Sequence, residues 1–186
     1  MTVQPDFAFI AGTPALCLVD TVGDRENTAT DRLRDPADLD AWMAAAGLGV
    51  DGAQPASLDD LLRTRDLREA IYRCGLAIID DAPFDPTDTR CINRHAQQPP
   101  LRPQIEGGAV ALHADRPIEA ALSTLAADAI ATITGPARRR IRICPECAMM
   151  FVDTSRPGKR RWCSSATGCG NRAKVRRHRA KRLQPE

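Results

Sequence analysis

An α+β fold is what three features of the 186-residue sequence predict. Apolar residues recur at helical spacing through much of residues 35–134, and one segment between Leu101 and His113 alternates with a period of two. Four cysteines fall in two pairs near the C-terminus. Together these describe a predominantly helical N-terminal domain with a β-hairpin, residues 1–137, and a small C-terminal treble-clef-like zinc finger, residues 138–186. The length suits one medium domain plus an appended module. Aromatic residues make up only 4%, so Leu, Ile, Val and Ala must fill the core.

The run Ala15–Val22 is a short apolar element, and periodicity leaves helix and strand both open. Asp35 then supplies an N-cap, Pro36 the first turn and Asp38 the third position of a helix that Gly47 stops. Leu39, Trp42, Met43 and Ala46 form its apolar face. Ser57 and Asp60 make a capping box that opens a long helix to about Asp80, with Leu67, Ala70, Ile71, Cys74 and Ile78 on one stripe. Pro83 and Pro86 break the chain before a short helix from Pro86 to Gln97. After the turn Glu106-Gly-Gly108, Ala109, Ala111 and His113 alternate with Val110 and Leu112, which predicts the hairpin. Asp115-Arg-Pro117 starts a further helix, striped by Ile118, Ala121, Leu122, Leu125, Ala129 and Ile133, and Gly135-Pro136 ends it.

Charge is divided sharply along the chain. Residues 1–137 carry 11 Lys/Arg against 21 Asp/Glu, a net of −10, whereas residues 138–182 carry 15 against 2, a net of +13. An acidic body with a tail facing nucleic acid explains this asymmetry; mutual neutralisation of the two halves is the competing explanation. No basic leader opens the chain, and no run approaches the ~20 apolar residues of a membrane helix, so a cytoplasmic protein with no membrane partner is expected. In that compartment thiols stay reduced, and clustered cysteines favour metal over disulfide. Cys17, Cys74 and Cys91 lie among apolar residues and are expected to be buried free thiols.

Cys144-Pro-Glu-Cys147 has the spacing of a compact knuckle, which lets both thiolates reach one ion. Met149–Ser155 is strand-like, Arg156-Pro-Gly-Lys159 is a turn, and Arg160–Cys163 is expected to return antiparallel, with Phe151 and Trp162 as a miniature core. Cys169 falls at the start of a basic helix, where the helix dipole favours a thiolate. Cys144, Cys147, Cys163 and Cys169 are therefore the expected ligands of one structural Zn2+, whose binding contributes roughly 10–16 kcal/mol of folding free energy in finger peptides. His178 lies too far along the helix axis to join them. Four thiolates leave no coordination position for water activation. There is no phosphate-binding glycine loop, and His95, on a helix surface, and His113, on a strand, stand alone, so an enzyme is not expected.

Trp162-Cys163 and Cys169-Gly-Asn-Arg172, followed by Ala-Lys-Val-Arg-Arg-His178, resemble the CGNR zinc finger family. The match extends back through Cys144, Cys147 and Asp153-Thr-Ser155. Leu16-Cys-Leu-Val-Asp-Thr-Val22, and the segment from Asp35-Pro36 through Trp42 to Gly47-Leu48, resemble the ABATE domain that precedes this finger in bacterial stress-induced transcription regulators. The chain departs from that pattern twice. The family usually has Asn where this chain has Asp20, and it usually leaves one residue fewer between the last two cysteines, Gly168 being the extra one here. The resemblance implies zinc binding and DNA binding.

On a helix from Asn171 onward, Arg172, Arg176 and Arg179 share one face, and Lys174, Arg177 and Lys181 share another. If that helix enters the major groove, one or two arginines reach guanine O6 and N7. The others, with Lys159, Arg160 and Arg161, grip phosphates. On this reading, removing Arg172 and Arg176 weakens duplex binding and leaves zinc in place. Asn171 is expected to hold the helix start or the zinc loop together. The leading reading is a DNA-binding transcription regulator whose acidic body senses a small-molecule effector or dimerises. RNA binding, and docking of the basic tail on an acidic protein partner, are the alternatives. A homodimer would be needed to read a palindromic site, and no coiled-coil heptad enforces one.

Overall fold

The computed structural model describes residues 7–164 and 167–182, with the side chains of the last helix described as far as Arg179. In chain order the body contains α1 (Pro14–Val19), the two-residue strands β1 (Val22–Gly23) and β2 (Thr30–Asp31), α2 (Pro36–Ala45), α3 (Leu58–Ile79), α4 (Pro86–Ala96), the strands β3 (Arg102–Glu106) and β4 (Ala109–His113), and α5 (Pro117–Thr134). A 3-10 turn over Pro136–Arg140 leads into β5 (Ile141–Ile143), β6 (Met150–Val152) and the C-terminal helix α6 (Cys169–Arg182). Each sheet is a two-stranded antiparallel ladder. No helix among the described residues is long and apolar enough to cross a membrane.

Local chemistry sets most of these boundaries. The Asp35 carboxylate accepts the Asp38 amide at the start of α2. At α3 the Ser57 hydroxyl accepts the Asp60 amide while Asp60 accepts the Ser57 amide, the reciprocal box that satisfies two orphan donors. The open choice at Ala15–Val22 is settled as helix as far as Val19. Thr13 caps α1, and the Asp128 carboxylate of α5 takes the Ala15 amide at 2.8 Å, an anion at a positive helix end. A tertiary partner thus secures a six-residue helix too short to persist alone.

Helix α3 is the axis of the body, packed by α1, α2, α4 and α5. Leu16, Leu18, Trp42, Leu67, Ile71, Leu122 and Leu125 are fully enclosed there. Arg68 on α3 is 4% exposed, yet its guanidinium meets Asp31 at 2.8 and 2.9 Å and Glu69 at 2.8 Å, so β2 is tied to the core by a compensated charge. Two expectations change here. His95 is buried in α4 rather than placed on its surface, and Cys91 is half-buried whereas Cys17 and Cys74 are buried.

The hairpin of the finger also differs from the sequence reading. β6 pairs with β5, which precedes the knuckle, in the register Ile141↔Val152, Arg142↔Phe151 and Ile143↔Met150. Arg160–Cys163 forms no strand. The reason is Asp153, whose carboxylate accepts the Ser155 amide at 2.9 Å and the Arg160 amide at 2.8 Å. That turns the chain and diverts a donor that a ladder would use. Phe151 is buried as expected, but Trp162 is half-buried and packs against Gly170, where a Cβ would approach the indole Cδ1 to 3.0 Å.

One hydrophobic core runs without interruption from the helical body into the finger. The Val152 amide donates to Ala11 O at 2.8 Å, and Gly12 adopts φ +95 where a Cβ would sit 3.3 Å from that of Val152. Met150 fills the space left by Gly75 on α3. Phe151→Ala should therefore lower the unfolding free energy of the zinc-loaded protein by about 3–5 kcal/mol in chemical denaturation. A loss below about 1 kcal/mol would show that the finger's core contributes little to the stability of the whole.

Candidate metal centre and basic helix

The turn from β5 to β6 carries the first two cysteines. Ala148 donates to Cys144 O at 2.9 Å and takes φ +55, while the Cys144 amide donates to Met149 O at 2.9 Å, closing the knuckle around the thiols. The Asp153 turn then leads to Cys163, and Cys169 opens α6. The Sγ atoms of Cys147, Cys163 and Cys169 lie 3.6 to 3.7 Å apart, and all four ligand atoms, Cys144 included, lie within 4.8 Å of one another. Sulfurs 2.3 Å from a central zinc occupy the corners of a tetrahedron with edges of about 3.8 Å. The donor set therefore fits structural zinc in size and in chemistry. Cys144, Cys163 and Cys169 are buried and Cys147 is half-buried, so water has little access.

Four thiols held this close cannot all ionise on their own. Hydrogen bonding to Cys147, with help from Thr167 and Cys169, pulls the Cys163 thiol well below the usual thiol range. Cys147, as the partner of Cys163, is pushed far up, and burial raises Cys169. A divalent cation removes the conflict by stabilising every thiolate together. Close by, burial raises the Asp20 carboxyl to about 7 despite Arg32 and Arg25, with Cys163 contributing to the rise. Asp153 is the opposite case: Ser155 beside it and the amide of Arg160 hold its carboxyl at about 2.

The cations singled out from the sequence separate into two groups. Arg160 works inside the finger, its amide on Asp153, its Nη2 on Val152 O at 3.3 Å and its guanidinium 4.6 Å above the Phe151 ring. Arg176 makes two hydrogen bonds to Glu146, at 2.7 and 2.6 Å. Arg172 donates to Thr167 O at 2.6 Å and to Cys169 Sγ at 2.9 Å, with its Nε 3.7 Å from Glu146. By contrast Lys159, Lys174, Arg177 and Arg179 are exposed and have no partner among the described residues. Arg161 is exposed above the Trp162 ring at 5.4 Å. Lys181 belongs to α6, but its side chain lies outside the described residues. Asn171 is exposed and its side chain makes no hydrogen bond among the described residues, so no side-chain contact supports the structural role expected of it.

Glu146 is one residue that sequence reasoning missed. Its side chain is 7% exposed, and the adjacent Arg176 holds its carboxyl below the usual glutamate range. The sequence offered one faint signal, since Glu146 and Asp153 are the two acids in an otherwise basic stretch of residues 138–182. Arg140 was missed as well; its Nη1 bonds Asp153 O at 3.1 Å and Ser155 O at 2.7 Å, bracing the same loop.

Elemental analysis should find one zinc per chain. Cys163→Ala or Cys169→Ala should remove it together with the circular-dichroism signal of α6, because the ion supplies the finger's folding free energy. Acid should release the ion as protons compete for the thiolates. A Cys169→Ala protein that keeps stoichiometric zinc at neutral pH would refute the four-sulfur site.

Residues 12–136 match the family model ABATE, described as a putative stress-induced transcription regulator, and residues 140–182 match the CGNR zinc finger model. No protein of curated function matches the chain. Neither model describes an enzyme family. With the tetrathiolate site at the position of the second match, the chain belongs to the ABATE family of regulator-like proteins and carries a CGNR zinc finger at its C-terminal end.

Proposed function

We infer that the protein is a DNA-binding transcription regulator in which the structural zinc presents α6 to duplex DNA. One observation carries this reading: Lys174, Arg177 and Arg179 stand exposed on a metal-anchored helix with no intramolecular counter-charge among the described residues. Like charges at these spacings weaken an isolated helix, so an arrangement that keeps them unpaired gains when a polyanion arrives. The described side chains of α6 pair with no carboxylate of the acidic body, and their one acidic partner is Glu146 of the knuckle. That argues against mutual neutralisation of the two halves.

The net negative charge of residues 1–137 repels a duplex, so the field of the molecule favours approach by the finger end. Lys159 and Arg161 in the loop, with Lys174, Arg177, Arg179 and Lys181 on the helix, form the phosphate-contacting set in this reading. Arg160, Arg172 and Arg176 serve the finger's own structure.

Neutralising about six phosphates gives a log–log salt slope near −5 in duplex binding. Lys174→Ala with Arg177→Ala should weaken binding across sequences and reduce that slope by about 2. Fluorescence anisotropy with a labelled duplex, from low to physiological salt, measures both quantities. Salt-independent binding, or full affinity in the double variant, would refute this interface. Structured RNA outcompeting duplex DNA would reassign the partner.

A further inference from the structure

Of the described cations of α6, Arg172 alone reaches the metal centre. Its Nη2 donates to Cys169 Sγ at 2.9 Å and its Nη1 to Thr167 O at 2.6 Å. We propose that Arg172 is a positioning residue of the zinc site, locked in place by Glu146, and not a reader of bases or phosphates. This inference rests on the zinc centre and stands apart from the nucleic-acid reading.

The charge of the site explains why a cation belongs there. Zinc with four thiolates carries a net charge of about −2, and three of the four sulfurs are buried where solvent screens little. A guanidinium is planar and permanently charged, and its separate donors reach a carbonyl and a sulfur at once. Thr167 completes the loop, with Oγ1 at 3.3 Å from Cys163 Sγ and 3.4 Å from Cys169 Sγ. Its single hydroxyl proton also reaches Ser164 O at 3.0 Å, so Thr167 braces the loop beside both ligands of the second cysteine pair, the segment that Arg172 holds.

Glu146 extends this support to the first pair. It sits between Cys144 and Cys147, takes two bonds from Arg176 and lies 3.7 Å from Arg172 Nε. A chain of contacts thus runs from Cys169 through Arg172 and Glu146 to Arg176, clasping the start of α6 to the knuckle. Two guanidinium groups and one carboxylate bring the −2 of the ion and its thiolates to −1. Two of the five N–H donors of Arg172 are committed to Thr167 O and Cys169 Sγ, and swinging the group onto a phosphate would break a charge-assisted bond to a metal ligand, a cost that Lys174 and Arg177 do not face.

The test uses the full-length, zinc-loaded protein without nucleic acid. Zinc transfer to a chromogenic chelator gives the affinity, and reconstitution with Co2+ gives the thiolate-to-metal charge-transfer band. Arg172→Ala should weaken zinc binding by ~10–100-fold, the usual cost of losing a group that orients a ligand. It should also move the band to lower energy, because a sulfur without its hydrogen bond is a better electron donor. Arg172→Lys, with its charge on a single flexible point, should recover part of the loss, Glu146→Gln should show a smaller loss in the same direction, and Arg177→Ala should match the parent protein. Should Arg172→Ala fail to fold, the Lys and Gln variants decide. Parent-like affinity and band position in Arg172→Ala, or in both of those variants, would overturn the proposal.

Discussion

Four sulfurs drawn within 4.8 Å of one another are the constraint on which the C-terminal quarter of the chain depends. The strands beside them are three residues each, and Ala173 is the one apolar residue of α6 beyond Cys169 that is buried among those described. The helix buries too little surface to offset its conformational entropy, and the strands are buried only by joining the core of the body. A metal cross-link between the knuckle and the helix start supplies what packing does not. Everything exposed on α6, including its run of cations, takes its direction from that junction.

The finger is nevertheless joined to the body. Val152 continues a backbone hydrogen bond to Ala11, and Met150, Phe151 and Val152 belong to the same enclosed cluster as Leu16 and Ile71. A core that crosses between the two family segments makes the finger's orientation a property of the whole molecule. Changes in the packing of α1 or α3 are therefore felt at β6, since close-packed interiors transmit displacement rather than absorb it.

Electrostatics are divided between two tasks. Arg160, Arg172 and Arg176 answer charges and dipoles generated inside the finger: the carbonyl of Val152, a sulfur, and Glu146. Lys159, Lys174, Arg177 and Arg179 have no partner there among the described residues. Composition alone treats these residues as one basic patch. Within α6 the separation arises because the one carboxylate of the knuckle, Glu146, reaches Arg172 and Arg176 and no other described cation of the helix.

The sequence by itself determined whatever depends on neighbours a few residues apart. The box of Ser57 and Asp60, the cap at Asp35, the Gly107-Gly108 turn and the two cysteine pairs are local patterns, and each appears in the structure where its spacing placed it. Tertiary structure decided what depends on distant partners. The amide of Arg160 could have entered a ladder until Asp153 captured it, and three residues of β5, one of them a charged Arg142, became the partner of β6 instead. Glu146 and Arg176 are 30 positions apart, and nothing in periodicity or composition pairs them. Their contact exists because the ion closes the loop between them, and loop closure over such a span is paid for by metal binding and burial rather than by local propensity.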